Sequence, residues 1–393
     1  MTEAAVLNKP GVQKLLAGRL WFGKRDFQKV PDLAPGEIAR ILTPEGQFGG
    51  LAYFNPKSSI LARLLSREET EIGEEFFINR FQRALFLRQK VYRGEGCFRL
   101  VHAEGDLLPG LTIDIYGDVA VIEITTAGME RQKDNILKAL KAVIPLRGFV
   151  LRNDLPVRKE EGLDLYVEAE GVKEPLEVTM DGLRFLLRPL TGQKTGFFLD
   201  QRENRRRLAR YVAGETVLDL FCYTGAFSFY AARAGAKKVL AVDRSQEALA
   251  LAEETARLNG LKDRIVFVCD EVTHFLSYAP LAGVVVLDPP AFIKKKRAYF
   301  QGLKRYRELI SLAQRRVTEG GLLLACSCSQ FLRLEEFERL AREELVRAGR
   351  QPQLLEIGLQ APDHPVYLPM PETWYLKALF LRLLFDIPGS GEP

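Results

Sequence analysis

The stretch that decides the fold is Thr216-Val217-Leu218-Asp219-Leu220-Phe221-Cys222-Tyr223-Thr224-Gly225-Ala226-Phe227-Ser228. Its apolar run, 216–221, predicts a buried strand, and a helical stretch follows the turn. Gly225 stands between the two, where a residue without a side chain lets the backbone approach a ligand closely. The turn lacks the G-x-G-x-x-G of dinucleotide-binding proteins, and many strand–helix turns carry one glycine, so the turn alone does not identify a ligand.

The same alternation of strand and helix continues beyond this turn. Helical stretches separate four further apolar runs, at 238–242, 264–268, 283–287 and 322–326. Such alternation predicts βαβ units and a parallel sheet. Ligands of these sheets bind at the carboxyl ends of the strands, so functional residues are expected there.

Polar or reactive groups follow each of these predicted strands. Asp243 comes after the second strand, roughly 20 residues past the first turn, where an acid accepts hydrogen bonds from ribose hydroxyls or, as often, caps a helix. Asp270 follows the third strand and could accept the amino group of adenine. Asp288-Pro289-Pro290 follows the fourth strand and Ser327-Cys328-Ser329 the fifth. The joint placement of these groups predicts a site for S-adenosylmethionine.

The N-terminal half of the chain has a different pattern. Residues 1–72 contain short predicted strands broken by turns, which indicates a small β-rich domain. Residues 73–188 predict a helical connector and an α+β middle domain, and residues 189–386 hold the alternating pattern. The tail, 387–393, is rich in Gly and Pro and is expected to be loose.

Composition excludes several classes of protein. Five cysteines and three histidines without paired ligand spacings argue against a disulfide scaffold and a structural zinc site, so no metal is expected. No apolar run reaches the ~18 residues of a membrane span, and the first residues do not resemble a secretion signal. The protein is therefore expected in the cytoplasm, with no membrane partner.

The net charge of +5 is mild, but basic residues cluster in two segments. The first cluster comprises Arg202, Arg205, Arg206, Arg207 and Arg210, and the second comprises Lys294, Lys295, Lys296, Arg297, Lys304, Arg305 and Arg307. Such clusters are ordinarily solvated helix faces. Because both adjoin the strand-end motifs, a rim that binds phosphates is the alternative.

Long motifs in this sequence resemble one bacterial family, the 23S ribosomal RNA large-subunit methyltransferase I family, which makes 5-methylcytosine. The resemblance includes the strand-end motifs and the segment Gln193-Lys194-Thr195-Gly196-Phe197-Phe198-Leu199-Asp200-Gln201-Arg202-Glu203-Asn204-Arg205. It also includes the segments 101–106, 108–111, 363–365, 371–373 and 375–377. The similarity extends over nearly the whole chain.

The resemblance implies an α/β fold: an N-terminal PUA RNA-binding domain, an α+β middle domain, and a Rossmann-like class I methyltransferase domain with a mostly parallel seven-stranded sheet. It implies S-adenosylmethionine as cofactor and RNA as partner, either 23S rRNA or an assembling large subunit, with a role in rRNA processing. A homodimer is left open. One departure concerns Gly18-Arg19-Leu20-Trp21-Phe22, which lacks the His-Pro of the family's PUA segment and so leaves RNA binding by this domain open.

The motif match also implies the site residues. Those expected to bind the cofactor are Phe221, Tyr223, Thr224, Gly225, Asp243, Arg244, Asp270, Glu271, Asp288, Pro290, Asp200 and Arg202. Cys328 is the expected nucleophile, with Cys326 as a secondary candidate. Asp288 is expected to hold the cytosine and donate a proton. A thiolate is required because carbon 5 of cytosine becomes nucleophilic only after a nucleophile adds to carbon 6.

Two other functions remain as alternatives. An amino-methyltransferase acting on N2 of guanine or N6 of adenine also uses an acid followed by Pro-Pro, but it needs no cysteine, so Ser-Cys-Ser argues against it. A non-catalytic RNA-binding ribosome assembly factor would not need the intact set of acids and Cys328.

Overall fold

The computed structural model describes residues 4–385, which fold into two compact units. Unit 1 comprises residues 4–181, Leu187–Leu199 and Pro362–Thr373, and unit 2 comprises Gly182–Leu186, Asp200–Ala361 and residues 374–385. The tail expected to be loose, 387–393, lies outside the described residues.

Unit 1 begins with a six-stranded sheet and one helix. Their bounds are β1 (Ala4–Leu7), α1 (Lys9–Leu16), β2 (Trp21–Phe22), β3 (Phe27–Lys29), β4 (Glu37–Leu42), β5 (Phe48–Phe54) and β6 (Ala62–Ser66). The strand order is β2-β6-β5-β4-β1-β3, with β1 parallel to β4 and the other pairs antiparallel. The sequence did not predict α1, which begins where Asn8 Oδ1 accepts a hydrogen bond from the Gly11 amide at 3.0 Å.

A five-stranded sheet with helices on it completes most of unit 1. The bounds are α2 (Glu74–Val91), β7 (Cys97–His102), β8 (Leu111–Tyr116), β9 (Val119–Ile124), α3 (Ala127–Arg131), α4 (Lys133–Val143), β10 (Gly148–Asn153), α5 (Val157–Glu160) and β11 (Tyr166–Glu170). The order is β11-β10-β9-β8-β7, and β9 and β10 are parallel. Phe77 and Phe81 of α2 belong to the apolar core of this part. Two short strands follow along the chain, β12 (Leu176–Met180) and β13 (Leu183–Leu187).

Unit 2 alternates helices and strands. Its further elements are α6 (Arg202–Leu208), β14 (Thr216–Leu220), α7 (Ala226–Arg233), β15 (Lys238–Asp243), α8 (Gln246–Leu258), β16 (Ile265–Cys269), α9 (Val272–Tyr278), β17 (Ala282–Leu287), α10 (Tyr299–Ala313), β18 (Val317–Ser327), α11 (Leu334–Arg347), β19 (Arg350–Leu359) and β20 (Lys377–Phe385). The central strands are rich in Val and Leu and almost fully buried, as expected for a parallel sheet covered by helices.

The seven strands of unit 2 form one sheet in the order β16-β15-β14-β17-β18-β20-β19. The first five are parallel, whereas β20 is antiparallel to both β18 and β19. The direction of winding reverses between β14 and β17. Such a switch point opens a crevice at the carboxyl ends of the strands, which is where these folds bind ligands.

The structure confirms the predicted α/β class and the mostly parallel seven-stranded sheet. Four of the five predicted apolar runs match β14 to β17 to within one residue at each end, and β18 begins at Val317 rather than at 322. The apolar pattern did not predict β19 and β20. Within residues 4–385, no helix is long and apolar enough to cross a membrane.

Candidate active site at the carboxyl edge of the sheet

The turn between β14 and α7 has a constrained backbone. Phe221 and Tyr223 have φ angles of 61° and 50°, a region that non-glycine residues rarely occupy, and Gly225 has 77°. Hydrogen bonds hold the turn, from Cys222 N to Val242 O at 3.0 Å and from Gly225 N to Cys222 O at 2.8 Å. Strain of this kind concentrates at functional sites, so the turn has the character of a ligand-binding loop.

Asp243, at the end of β15, ties this turn to the neighbouring strand. Its carboxylate accepts hydrogen bonds from the Tyr223 amide and the Ser245 amide, each at 2.9 Å. Ser245, and not Asp243, supplies the side-chain cap of α8. The capping role that the sequence left open for Asp243 therefore belongs to Ser245, and the remaining lone pairs of the Asp243 carboxylate are available to a ribose.

The acids after β16 lie closer to the surface. Asp270 accepts hydrogen bonds from Tyr278 OH at 2.7 Å, from His274 Nδ1 at 2.8 Å and from the Glu271 amide at 2.8 Å. The Tyr278 hydroxyl is the main cause of the lowered pKa of Asp270. Arg244 and Glu271 are exposed and 3.8 Å apart as an ion pair. Asp270 is partly buried, and its role in binding a cofactor, like those of Arg244 and Glu271, stays a prediction.

A buried group of charges lies under the end of β17. Burial and the nearby Asp200 raise the pKa of Asp288 to about 7, whereas Arg205 opposes the rise. Burial also raises the pKa of Asp219 to about 7, although Ser228 donates to its Oδ2 from both amide and hydroxyl. Asp219 Oδ1 is buried without a hydrogen-bond partner among residues 4–385. The group thus places three carboxyl side chains around one buried guanidinium, and two of them, Asp219 and Asp288, exchange protons near neutral pH.

Two arginines of the first basic cluster lie in the interior, whereas Arg206, Arg207 and Arg210 are at least partly exposed, so a phosphate-binding rim stays a prediction for these three. Arg202 is completely buried and Arg205 is 3% exposed. Of the others, Arg206 pairs with Glu203 at 2.9 Å, and Arg207 and Arg210 pair with Glu356. Asp200, also predicted as a site residue, accepts a hydrogen bond from Tyr375 OH at 2.7 Å.

The segment after β18 gives its serines and its cysteine different environments. Ser327 and Ser329 are fully buried, and their hydroxyls lie 3.0 and 2.9 Å from Tyr306 OH. Ser329 Oγ also accepts a hydrogen bond from the Ile293 amide at 3.1 Å, which joins this segment to the loop after Asp288. Cys328, between the two serines, is partly exposed. The serines therefore anchor the segment on both sides of a cysteine that is partly exposed.

The neighbouring Cys326 is a much weaker candidate for the nucleophile. It is 1% exposed, and burial raises the pKa of its thiol well above the ordinary value, with Asp288 adding to the rise. A thiol in that environment stays protonated and unreactive.

Three side chains of the site were not predicted as site residues. Tyr306 comes from α10, Arg205 from α6 and Lys377 from the start of β20. The Lys377 ammonium is buried and donates to the carbonyl oxygens of Ser329 and Tyr375 at 2.7 and 2.8 Å. Arg205 and Lys377 stood in motifs that carried the family resemblance, at 193–205 and 375–377, whereas Tyr306 did not. The spacing of the sequence gives no sign that Tyr306 lies beside Cys328.

Comparisons with known proteins agree with this architecture. Residues 163–356 match the model of an S-adenosylmethionine-dependent methyltransferase family, and residues 5–67 match a PUA-like domain. A solved structure from Streptococcus mutans, assigned as a SAM-dependent methyltransferase, superposes with a TM-score of 0.83 at 23% identity, over 96% of this chain and 99% of that one. That likeness concerns the fold.

Relatives of known family cover the whole length of the chain. The ribosomal RNA large subunit methyltransferase I of Aeromonas hydrophila is 37% identical over 97% of this chain and 100% of its own. The protein of the same name from Vibrio cholerae is 36% identical over 98% of this chain and 100% of its own. The motifs at the strand ends, the fold and these relatives agree: the chain belongs to the ribosomal RNA large subunit methyltransferase I family and carries its S-adenosylmethionine-dependent methyltransferase domain.

Proposed function

We propose that this protein methylates carbon 5 of a cytosine in ribosomal RNA through a transient covalent bond to Cys328. The observation that carries the proposal is the difference in burial between Cys326, which lies in β18, and Cys328, which follows the end of that strand. Cys326 is buried with a raised pKa, whereas Cys328 is partly exposed and held between two anchored serines. A direct transfer to an exocyclic amine would need no such thiol.

The crevice fits S-adenosylmethionine by its chemistry. The cofactor carries positive charge on its sulfonium and its ammonium, and the floor offers three carboxyl side chains, with Asp219 Oδ1 buried and lacking a donor among residues 4–385. The strained turn at Phe221 and Tyr223 and the acceptor Asp243 are suited to the methionine portion and the ribose. When bound, the cofactor supplies an electrophilic methyl group.

The chain's own residues perform the other steps. The Cys328 thiolate adds to carbon 6 of the cytosine, which turns the ring into an enamine and makes carbon 5 nucleophilic. Asp288, whose pKa is raised to about 7, is protonated in a large fraction of molecules near neutrality and can donate that proton to N3 as the adduct forms. After methylation, a water molecule accepts the proton from carbon 5, the electron pair of that C–H bond forms the 5,6 double bond, and the thiolate leaves carbon 6. The proton on N3 then returns to the Asp288 carboxylate. Ala291 stands where a neighbouring enzyme group has a second cysteine to assist this release.

A base must leave its stack to reach such a crevice, and the surface beside it suits RNA. Phe300 is 82% exposed at the start of α10, and the exposed cations within six residues of it along the chain are Lys294, Lys295, Lys296, Arg297 and Lys304. Cations next to an exposed aromatic ring are a common surface for single-stranded nucleic acid. The names of the relatives support ribosomal RNA of the large subunit as that substrate.

A covalent trap tests the proposal. RNA that contains 5-fluorocytidine cannot lose a proton from carbon 5, so the wild-type protein with S-adenosylmethionine should form a stable adduct that survives denaturing electrophoresis. Cys328→Ala should form none while it still binds the cofactor, and the matched variant Cys326→Ala should still form it. Methylation of natural RNA at a guanine or adenine amino group, or full activity of Cys328→Ala, would overturn the proposal.

A further inference from the structure

Lys377 is a buried cation next to the proposed nucleophile. It is 2% exposed, it begins β20, and its backbone lies opposite Ser327 in the β18–β20 pairing. Its ammonium donates to two neutral carbonyl oxygens, those of Ser329 and Tyr375. Within residues 4–385, no carboxylate lies within ion-pair distance of this ammonium. A buried charge without a counter-ion is unfavourable, so an anion nearby would be stabilised.

Two ionisable groups face Lys377 as sources of negative charge, Cys328 and Glu336. Glu336, on α11, is already bound: it accepts hydrogen bonds from Tyr299 OH at 2.6 Å and from the Arg333 amide at 3.0 Å. Tyr306 and Cys326 also face Cys328. Burial raises the pKa of Tyr306 to about 12 and that of the Cys326 thiol well above its ordinary value, so both stay neutral. Cys328 is therefore the group whose ionisation would supply the missing counter-charge.

We propose that the Lys377 ammonium stabilises the thiolate form of Cys328 and thereby prepares it for attack on the pyrimidine. Lys377 acts as a positioning residue, since it works through Cys328, and this role rests on the proposed function. The thiol proton passes to solvent, which leaves an ammonium–thiolate pair whose net charge is zero. An accessible thiol beside a cation is the setting in which cysteines become nucleophilic at neutral pH.

The titration of the pair is consistent with this geometry. Burial lowers the pKa of Lys377 to about 8, and Cys328 and then Glu336 counteract the lowering.

The experiment is the pH dependence of alkylation of Cys328 by iodoacetamide, in the full chain with Cys269→Ser. Cys269 is exposed, whereas Cys97, Cys222 and Cys326 are buried, so this variant leaves Cys328 as the accessible thiol among the described residues. The midpoint should lie clearly below the ordinary thiol value of about 8.5. Lys377→Met should raise it by a unit or more and slow alkylation at pH 7 by about tenfold, whereas Lys377→Arg should retain most of the effect.

Controls separate an electrostatic from a purely structural role. Glu336→Gln should leave the alkylation midpoint of Cys328 within a few tenths of a pH unit. If Cys326 is not labelled in a variant, the core around that buried thiol is still folded. If Cys328 is alkylated with a midpoint near the ordinary thiol value of about 8.5 while Lys377 is intact, the inference is wrong. That result does not depend on whether the variants fold. A Lys377→Met protein that is folded and has an unchanged midpoint also overturns the inference.

The test is independent of RNA and of methyl transfer. If the fluorocytidine trap fails but the thiol midpoint is low and depends on Lys377, the proposed function is wrong and the pairing stands. If the trap succeeds and the alkylation midpoint of Cys328 does not change when Lys377 is replaced, the proposed function stands and only the pairing of Lys377 with Cys328 is wrong.

Discussion

The Tyr306 hydroxyl lies 2.9 Å from Ser329 Oγ, and both side chains are buried. The same hydroxyl also contacts Ser327 at 3.0 Å, so one tyrosine of α10 holds both neighbours of Cys328. Because Tyr306 has few alternative positions in the packed core, the segment that carries the thiol has few as well. The segment around Cys328 is thus held in place by α10, the helix that precedes β18 in the chain.

Replacing Tyr306 by Phe tests that arrangement. The change removes the partner that the two buried serine hydroxyls share. Ser329 Oγ keeps the Ile293 amide and Ser327 Oγ keeps the Ser329 amide, so the loss amounts to about one buried hydrogen-bonding group, roughly 1–3 kcal/mol. We expect a loss of about 1–3 kcal/mol in the free energy of unfolding, measured in urea, and a larger than tenfold fall in the single-turnover rate. Tyr299→Phe, which removes a hydrogen bond to the partly exposed Glu336, is the matched control and should change the rate little. Equal effects of the two substitutions would contradict this role for Tyr306.

Much of the sheet of unit 2 could be predicted because its central strands are buried on both faces. Such strands read as continuous apolar runs, and turns or helices bound them clearly. β19 did not stand out because it lies at the sheet edge and carries exposed Leu354, Leu355 and Ile357 between polar residues. β20 is apolar, but it is reached only after a long segment, 360–376, that belongs partly to unit 1.

The residues that follow the strands could also be predicted as neighbours, because the carboxyl ends of parallel strands lie at the same edge of the sheet. The side chains that support them could not. Arg205 looked like part of a solvated basic run and is buried among carboxylates, since a helix face cannot be assigned to core or solvent from charge alone. Tyr306 and Lys377 reach Cys328 by tertiary packing between elements distant in sequence, which periodicity does not encode. The division into three domains and the roles of the individual site residues stay predictions.

Asp288 should destabilise the folded protein when it ionises. Its pKa is raised from 3.8 to about 7, mainly by burial, so the folded state binds its proton more tightly than the unfolded state does. This contribution is fully present below pH ~4 and is lost as pH rises through about 7, by at most about 4 kcal/mol. Asp288→Asn should therefore unfold at higher urea concentration than the wild type at pH 8, and the advantage should vanish near pH 4.

The same substitution should abolish methyl transfer, because an amide does not donate an acidic proton to N3. In the wild type, the rate should fall on the alkaline side as Asp288 loses its proton and on the acid side as Cys328 becomes protonated, which gives a bell-shaped profile. A stable Asp288→Asn protein with normal activity would contradict the assigned role. Asp270→Asn is a useful comparison, since the pKa of Asp270 is lowered and its ionisation should stabilise the fold instead.

Cofactor affinity should depend on Asp243 far more than on its charged neighbours. Asp243→Ala removes the acceptor of the Tyr223 and Ser245 amides and the expected ribose contact, so the strained turn should relax. We expect S-adenosylhomocysteine to bind at least tenfold more weakly, about 1.4 kcal/mol, by titration calorimetry. Glu271→Gln alters an exposed pair of the kind worth about 0–1 kcal/mol and should change the affinity less than threefold. Comparable losses in both variants would place the cofactor over the outer edge of the crevice.

RNA affinity should depend on the exposed surface at the start of α10. Phe300 is 82% exposed, so Phe300→Ala removes little from the core and should not lower the free energy of unfolding. Loss of a stacked base costs about 1–3 kcal/mol in comparable sites, so RNA should bind roughly 5- to 150-fold more weakly.

Lys294→Ala with Lys296→Ala should instead reduce the dependence of RNA binding on salt, by about 0.7 in the log–log slope for each phosphate that is no longer neutralised. The variant Arg210→Ala is the matched control, because Arg210 is exposed and its guanidinium is already paired with Glu356. If Arg210→Ala lowers the slope as the lysine changes do, or if Phe300→Ala binds RNA normally, the RNA does not approach the crevice across α10.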